Sequence, residues 1–313
     1  MYERKPRLLK TEINISGEPW YNDCEMNINV TSPRVLRSLM EQYGVAPLKK
    51  LGQNFLVDGN IADKIAEAAV PEGACALEIG PGFGALTLRL AERADAVAAY
   101  EIDAGLSRAL AALFEHEPGV HLFHKDFLKA DIDMDLPDIF GGRDVYVAAN
   151  LPYYITSACI MALLTSKLSI RMITVMVQKE VADRICALPG SKDYGALSAL
   201  IGYYAEPRRL FNVSPACFYP KPEVDSAVAQ LKVLTRDKAD AQDYVRTVKG
   251  LFAMRRKTVK SNLRQSFGLS AERAQDVLKN AGIDENARAE MLGVNDFLTI
   301  SKEIQKNNQI YSI

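Results

Sequence analysis

From residue 61 the chain alternates between two hydrophobic periods. Ile61, Ile65, Ala68 and Ala69 fall on one face at helical spacing, which predicts a helix over 61–69. A short apolar run predicts a strand over 74–79, followed by a tight glycine turn at 80–84, a helix over 85–93 and a second strand over 96–102. The alternation continues with a helix over 104–114, strands over 120–124 and 145–149, a helix over 157–164, a strand over 171–178 and a helix over 180–187. Strands alternating with helices imply a mostly parallel α/β sheet covered on both faces. Segments 206–213 and 226–234 read as an antiparallel pair closing that sheet. Polar residues 235–241 resemble a linker. Beyond it, 242–306 reads as helices, broken at Gly268, Gly282 and Gly293.

This pattern divides the chain into an extension over 1–30, an α/β domain over 31–235 and a smaller all-α domain over 236–313. The extension shows no sustained period, and it carries Gly17, Pro19 and the single tryptophan, Trp20. It is expected to be poorly ordered. Glu3, Glu12 and Glu18 argue against a transit peptide. Met26 is a candidate native start, because the next segment fits a helix capped by Thr31 or Ser32 with Pro33 in its first turn.

The 313 residues, 48% hydrophobic and 25% charged, suit a globular protein with one large domain and one smaller one. The longest apolar run, near 170–177, is interrupted by Arg171 and Thr174, so no membrane span is expected. Five cysteines without a C-x-x-C pair read as reduced thiols of a cytoplasmic protein. His116, His121 and His124 cluster around one loop and strand, but surface positions suit them and no metal is assigned. A net charge of −1 does not announce a nucleic-acid binder. The local clusters do more: Arg255, Arg256, Lys257, Lys260 and Arg264, with Lys49-Lys50 and Arg208-Arg209, suggest one basic surface offset by acid elsewhere.

The turn Glu78-Ile79-Gly80-Pro81-Gly82-Phe83-Gly84 joins a strand to a helix, and Glu101 ends the following strand, where a carboxylate can accept from ribose hydroxyls. A dinucleotide would set its pyrophosphate beside Glu78, anion against anion. S-adenosylmethionine carries no phosphate, and its cationic groups suit an acidic rim of Glu78, Glu101 and Asp126. Asp126 can accept from an adenine amino group. Phe127 beside it could pack on that ring or belong to the core. At the end of the fourth strand stands Asn150-Leu151-Pro152-Tyr153. An exocyclic ring amine is a poor nucleophile because its lone pair is delocalised. The Asn150 side-chain oxygen and the Leu151 carbonyl, held by Pro152, could accept its two hydrogens and free that pair, while Tyr153 stacks on the base. The plain alternative for Asn150 is a turn asparagine. Its place at a strand end, where ligands of parallel sheets gather, favours chemistry.

Several stretches together resemble one family. Lys50–Leu56 (KLGQNFL), residues 78–84, Glu101-Ile102-Asp103, residues 150–153, Gln178-Lys179-Glu180-Val181, Tyr194-Gly195, residues 218–226 (FYPKPEVDS) and Arg255-Arg256-Lys257-Thr258 are similar to the small-subunit rRNA adenine-N6,N6-dimethyltransferases, the kasugamycin-sensitivity enzymes. The likeness runs from about residue 33 to near residue 300. It implies a Rossmann-like class I methyltransferase sheet with a smaller C-terminal all-α domain. It also implies cofactor contacts from Asn54, Leu56, Gly80, Glu101, Asp126 and Asn150, with residues 53–56 as a flap over the cofactor. Phe218 would be a second aromatic over a flipped base, the alternative being core packing. Arg255, Arg256 and Lys257 would touch rRNA phosphates. The implied substrate is a pair of adjacent adenines near the 3′ end of 16S rRNA within immature 30S subunits, each taking two methyl groups, and the enzyme is expected to act as a monomer. The 1–30 extension is longer than the family usually has. Competing readings are a 23S rRNA adenine-N6 methyltransferase, a nicotinamide dehydrogenase using the same turn, and a largely non-catalytic 30S assembly checkpoint protein.

Overall fold

A computed structural model describes residues 29–47, 53–152, 154–235, 240–254 and 256–309. Almost all of the 1–30 extension, Lys49-Lys50 and most of the 235–241 linker therefore lie outside the described residues. Helix Pro33–Tyr43 begins at the expected proline, but Ser32 makes no side-chain cap. Helix Gly59–Ala69 starts two residues before the expected position because Asp58 accepts from Asn60 N–H and Ile61 N–H and so sets the first turn.

The strands are β1 Phe55–Leu56, β2 Cys75–Ile79, β3 Ala96–Glu101, β4 Val120–His124, β5 Val145–Asn150, β6 Ile170–Gln178, β7 Ala205–Val213, β8 Phe218–Tyr219 and β9 Ser226–Val233. Seven of them form one sheet in the order β4-β3-β2-β5-β6-β9-β7, while β1 pairs with β8 on its own. The pairs among β2, β3, β4, β5 and β6 are parallel, and β9 runs antiparallel to β6. Every residue of β2 is buried, as a strand covered on both faces requires. One face is covered by helices Gly59–Ala69 and Ala85–Arg93 through Ile65, Ala66, Leu86 and Leu90. Leu36, Leu39, Leu106 and Leu110, from helices Pro33–Tyr43 and Ala104–Leu113, form a second apolar cluster with Phe55 and Phe83.

Two compact units result, and the division departs from the expected boundary at 235. The sheet unit holds residues through 182 and 208–233, whereas 183–207 group with 234–313. The segment that changes sides includes a helix the sequence pattern did not signal, Ala196–Tyr204. In this second unit Tyr203 stacks on Tyr244 at 4.3 Å, and the buried Tyr244 hydroxyl donates to the Ala199 carbonyl at 2.8 Å. Helices Val259–Phe267 and Ala271–Ala281 end at Gly268 and Gly282, two of the expected breaks.

Within the sheet unit, buried Gln230 on β9 ties three elements together. Its Nε2 donates to the Ala68 carbonyl at 2.6 Å and to Thr174 Oγ1 at 3.1 Å, and its Oε1 accepts from Arg208 Nε at 2.9 Å. Arg208 thus gives part of its guanidinium to Gln230 while remaining exposed on β7. Gln230→Ala leaves these groups without their partner, so urea unfolding should show a loss of about 1–3 kcal/mol. An unchanged midpoint would mean that water replaces the amide at no cost.

Candidate active site

The C-terminal ends of β2, β3, β4 and β5 surround a cavity of about 320 Å³, a volume suited to a small ligand. Asn54, Leu56, Gly80, Glu101, Asp126, Asn150, Leu151, Pro152 and Phe218 all line it. Tyr153 and Arg255 lie outside the described residues.

Gly80, Gly82 and Gly84 have φ of 69°, 61° and 81°, a left-handed run that side chains resist. At Gly84 an added Cβ would stand 2.9 Å from the Phe114 ring, and at Gly82 it would stand 3.1 Å from Phe55. The turn therefore needs glycine for its dihedrals and for the approach of Phe55. Glu101 holds it from the side: Oε2 accepts from Gly82 N–H at 3.1 Å and Oε1 from Asp103 N–H at 2.9 Å. Each oxygen keeps capacity for a further donor. Burial raises the Glu101 pKa, and the amides of Asp103 and Gly82 oppose that rise.

Glu78 corrects the expected acidic rim. It is 2% exposed, its Oε2 has no hydrogen-bond partner, and burial pushes its pKa up to about 8. The nearby Thr87 hydroxyl opposes the rise without making a hydrogen bond of ordinary geometry, and the Glu101 charge adds to it. Two of the three acids are therefore buried in the cavity wall, and one is largely uncharged at neutral pH. Only Asp126 is partly open. Its Oδ1 accepts from Leu128 N–H at 3.1 Å, and Lys129 Nζ lies 3.6 Å from Oδ2.

Sequence reasoning missed three apolar lining residues. Ile102, Leu128 and Tyr154 are 55%, 40% and 61% exposed, unusual for such side chains, and all face the cavity. An apolar residue directly after a strand-end acid, as in Glu101-Ile102, was the available signal. Phe127 is buried edge-on to Tyr100 at 5.6 Å, so its core role holds even though it lines the cavity.

Asn150 closes the opposite wall. Its Nδ2 donates to the Asn54 carbonyl at 3.1 Å, which assigns the amide orientation and identifies Oδ1 as the acceptor end. Leu151 N–H donates to the Met176 carbonyl at 3.1 Å. The Pro152 carbonyl is taken up by Ile155 N–H and Thr156 Oγ1, both at 3.2 Å. The β1–β8 register, Phe55↔Tyr219 and Leu56↔Phe218, brings residues 53–56 beside Asn150. Phe218 is 5% exposed and packed in the apolar cluster, so its core role is present alongside its place in the lining.

The expected cations divide. Arg256 and Lys257 are exposed between helices Ala241–Leu251 and Val259–Phe267 of the second unit. Lys260 instead pairs with Glu285 at 2.7 Å, so the acid-free run in sequence is not acid-free in space.

A mostly parallel sheet with a glycine turn after β2, a tethered carboxylate ending β3 and Asn-Leu-Pro at the end of β5 defines a Rossmann-like class I methyltransferase. The crystal structure of the 23S rRNA methyltransferase ErmE is similar at 27% identity and a TM-score of 0.61, covering 80% of this chain and all of that one. That of a dimethyladenosine transferase from Plasmodium falciparum, at 24% identity and a TM-score of 0.69 over 81% of this chain and 98% of that one, shares the fold. The ribosomal RNA small subunit methyltransferase A of Alkaliphilus oremlandii is 41% identical over 283 residues, covering 88% of this chain and 98% of the relative. The family model for ribosomal RNA adenine dimethylases matches residues 47–306, and the chain belongs to that family.

The protonation of Glu78 is measurable. Its folded pKa of about 8 lies above the ordinary 4.5, so its contribution to stability is fully present below pH 4.5 and is lost as pH rises through 8. The stability of the ligand-free wild type relative to Glu78→Gln should fall over that window in unfolding experiments. A pH-independent difference would show that Glu78 titrates as it does in the unfolded chain.

Proposed function

We propose that this chain transfers methyl groups from S-adenosylmethionine to N6 of two adjacent adenines near the 3′ end of 16S rRNA, giving N6,N6-dimethyladenosine in immature 30S subunits. The enzyme would act as a monomer. The observation that carries the reading is the Asn150 amide, anchored through nitrogen to Asn54 and so presenting oxygen. The cavity suits the cofactor. Glu78 Oε2 is a buried acceptor without a donor that an ammonium group could satisfy, Glu101 can still accept from ribose hydroxyls, and Ile102 and Leu128 offer apolar surface for a flat ring. Asn54, Leu56, Gly80 and Asp126 would complete its contacts. When bound, S-adenosylmethionine supplies an electrophilic methyl group on a sulfonium.

The remaining work belongs to the chain. Asn150 Oδ1 and the Leu151 carbonyl would accept the two amine hydrogens and release the ring-delocalised lone pair for attack. Tyr153 and Phe218 would hold the base by its faces. Holding the amine in line is the main contribution, and no strong base is required because the methylated ammonium is itself acidic. The likeness to a 23S enzyme favours one second reading, methylation of 23S rRNA. The fuller match to a small-subunit relative supports the 16S target.

Mass spectrometry of nucleosides from separated 16S and 23S rRNA, with and without the protein in cells, decides the target. Loss of dimethyladenosine from 16S alone is expected, and loss from 23S alone would overturn the assignment. Asn150→Ala should lower methyl transfer by about 10²–10³-fold, in the range for removing one oriented polar group, while S-adenosylhomocysteine still binds in calorimetry. Full turnover would remove Asn150 from the chemistry. The second unit would bind rRNA through Arg255, Arg256 and Lys257. Arg256→Ala and Lys257→Ala should each weaken binding of a 16S fragment and reduce the slope of log affinity against log salt by about one. An unchanged slope would place both side chains away from phosphate.

A further inference from the structure

The β3–β4 register ends at Glu101↔His124. Asp126 stands two residues beyond it, so no strand pairing sets its separation from Glu101. β4 is also an edge strand of the sheet, half-buried for most of its length. At the end of the register and just past it, the two strand ends are also joined by side chains. Asp135 Oδ2 accepts from the Tyr100 hydroxyl at 3.2 Å, and its two oxygens accept from Lys125 Nζ at 2.7 and 2.8 Å. Tyr100 directly precedes Glu101, and Lys125 directly precedes Asp126. One carboxylate therefore holds the chain neighbours of both Glu101 and Asp126. A second tie, His124 Nε2 to the Ile102 carbonyl at 3.3 Å, spans the same gap nearer the backbone.

The bridge has a firm base. Ile132 and Leu136, on either side of Asp135, are buried. The Tyr100 ring stacks on Phe123 at 4.6 Å and meets Phe127 edge-on. Burial pushes the Tyr100 phenol well above its ordinary range and the Asp135 charge pushes it further, so the hydroxyl remains a donor. The Lys125 side chain is 48% exposed, and an ion pair of that kind alone contributes little. The phenol shared on the same carboxylate makes the link a positional one.

We infer that Asp135 is a positioning residue for the cofactor: it sets the spacing of Glu101 and Asp126, the acids that would hold the ribose and the adenine. The inference rests on the cofactor reading given above. Its test is calorimetric titration of the full chain with S-adenosylhomocysteine, using wild type, Asp135→Asn, Asp135→Glu, Tyr100→Phe and the Tyr100→Phe/Asp135→Asn pair. Asp135→Asn should weaken binding about tenfold, the scale of one hydrogen bond to a charged group, and raise KM for S-adenosylmethionine alike while kcat holds. Asp135→Glu, which keeps the carboxylate, should recover part of the loss. The double variant should lose less than the product of the single losses, because both break the same bridge. The ligand-free melting temperature of Asp135→Asn should stay within about 2 °C of wild type. Equal ligand affinity in wild type and Asp135→Asn, or independent multiplication of the two losses, overturns the inference while the cofactor reading stands. Failure of the wild type to bind the ligand overturns both.

Discussion

The Glu101 carboxylate is the joint on which the cavity is assembled. One oxygen takes an amide from the glycine turn after β2, and the other takes an amide from the head of the helix after β3. The β2–β3 pairing ends at Ile79↔Tyr100, and the carboxylate carries that connection on into the two loops. Without that carboxylate, a left-handed turn would carry an unpaired N–H in a part-buried place, which is costly. The same turn carries the left-handed dihedrals of Gly80, Gly82 and Gly84 and the close passage of Phe55 over Gly82.

The opposite wall follows a similar logic with neutral groups. The Asn54 carbonyl fixes the Asn150 amide, and the β1–β8 pair fixes Asn54. Polar groups are spent on orienting other polar groups, so Asn150 Oδ1 is left as a fixed acceptor in the cavity lining. Acid at one end and oriented acceptors at the other give the cavity a direction. This asymmetry is what a donor–acceptor reaction between a cationic cofactor and a neutral amine requires.

Much of this was legible in the chain because parallel strands buried on both faces produce short apolar runs between helical periods, as at Cys75–Ile79. Strand-end acids and the Asn-Leu-Pro step were legible as well, since the fold places ligands at those ends. Helix Ala196–Tyr204 was not. Six of its nine residues are buried, so it has no polar face to give it a period. The two-residue strands β1 and β8 carry no period either, and only their mutual pairing makes them strands. The burial of Glu78 was hidden for another reason: a glutamate beside a glycine turn looks solvent-facing until its neighbours are in place. The same holds for Lys260, whose acid partner lies 25 positions downstream.

The pairing of β1 with β8 also bears on how the chain is made. Phe55 leaves the ribosome long before Tyr219, its partner in register. Helices and parallel strands between them can form as they emerge, but the cavity wall waits for a contact across more than half the polypeptide. Such distant closures come late in folding because loop entropy must be overcome first. A nascent chain halted before β8 would thus hold its glycine turn and its acids in a cleft that lacks one side, and that side would close only once β8 had emerged.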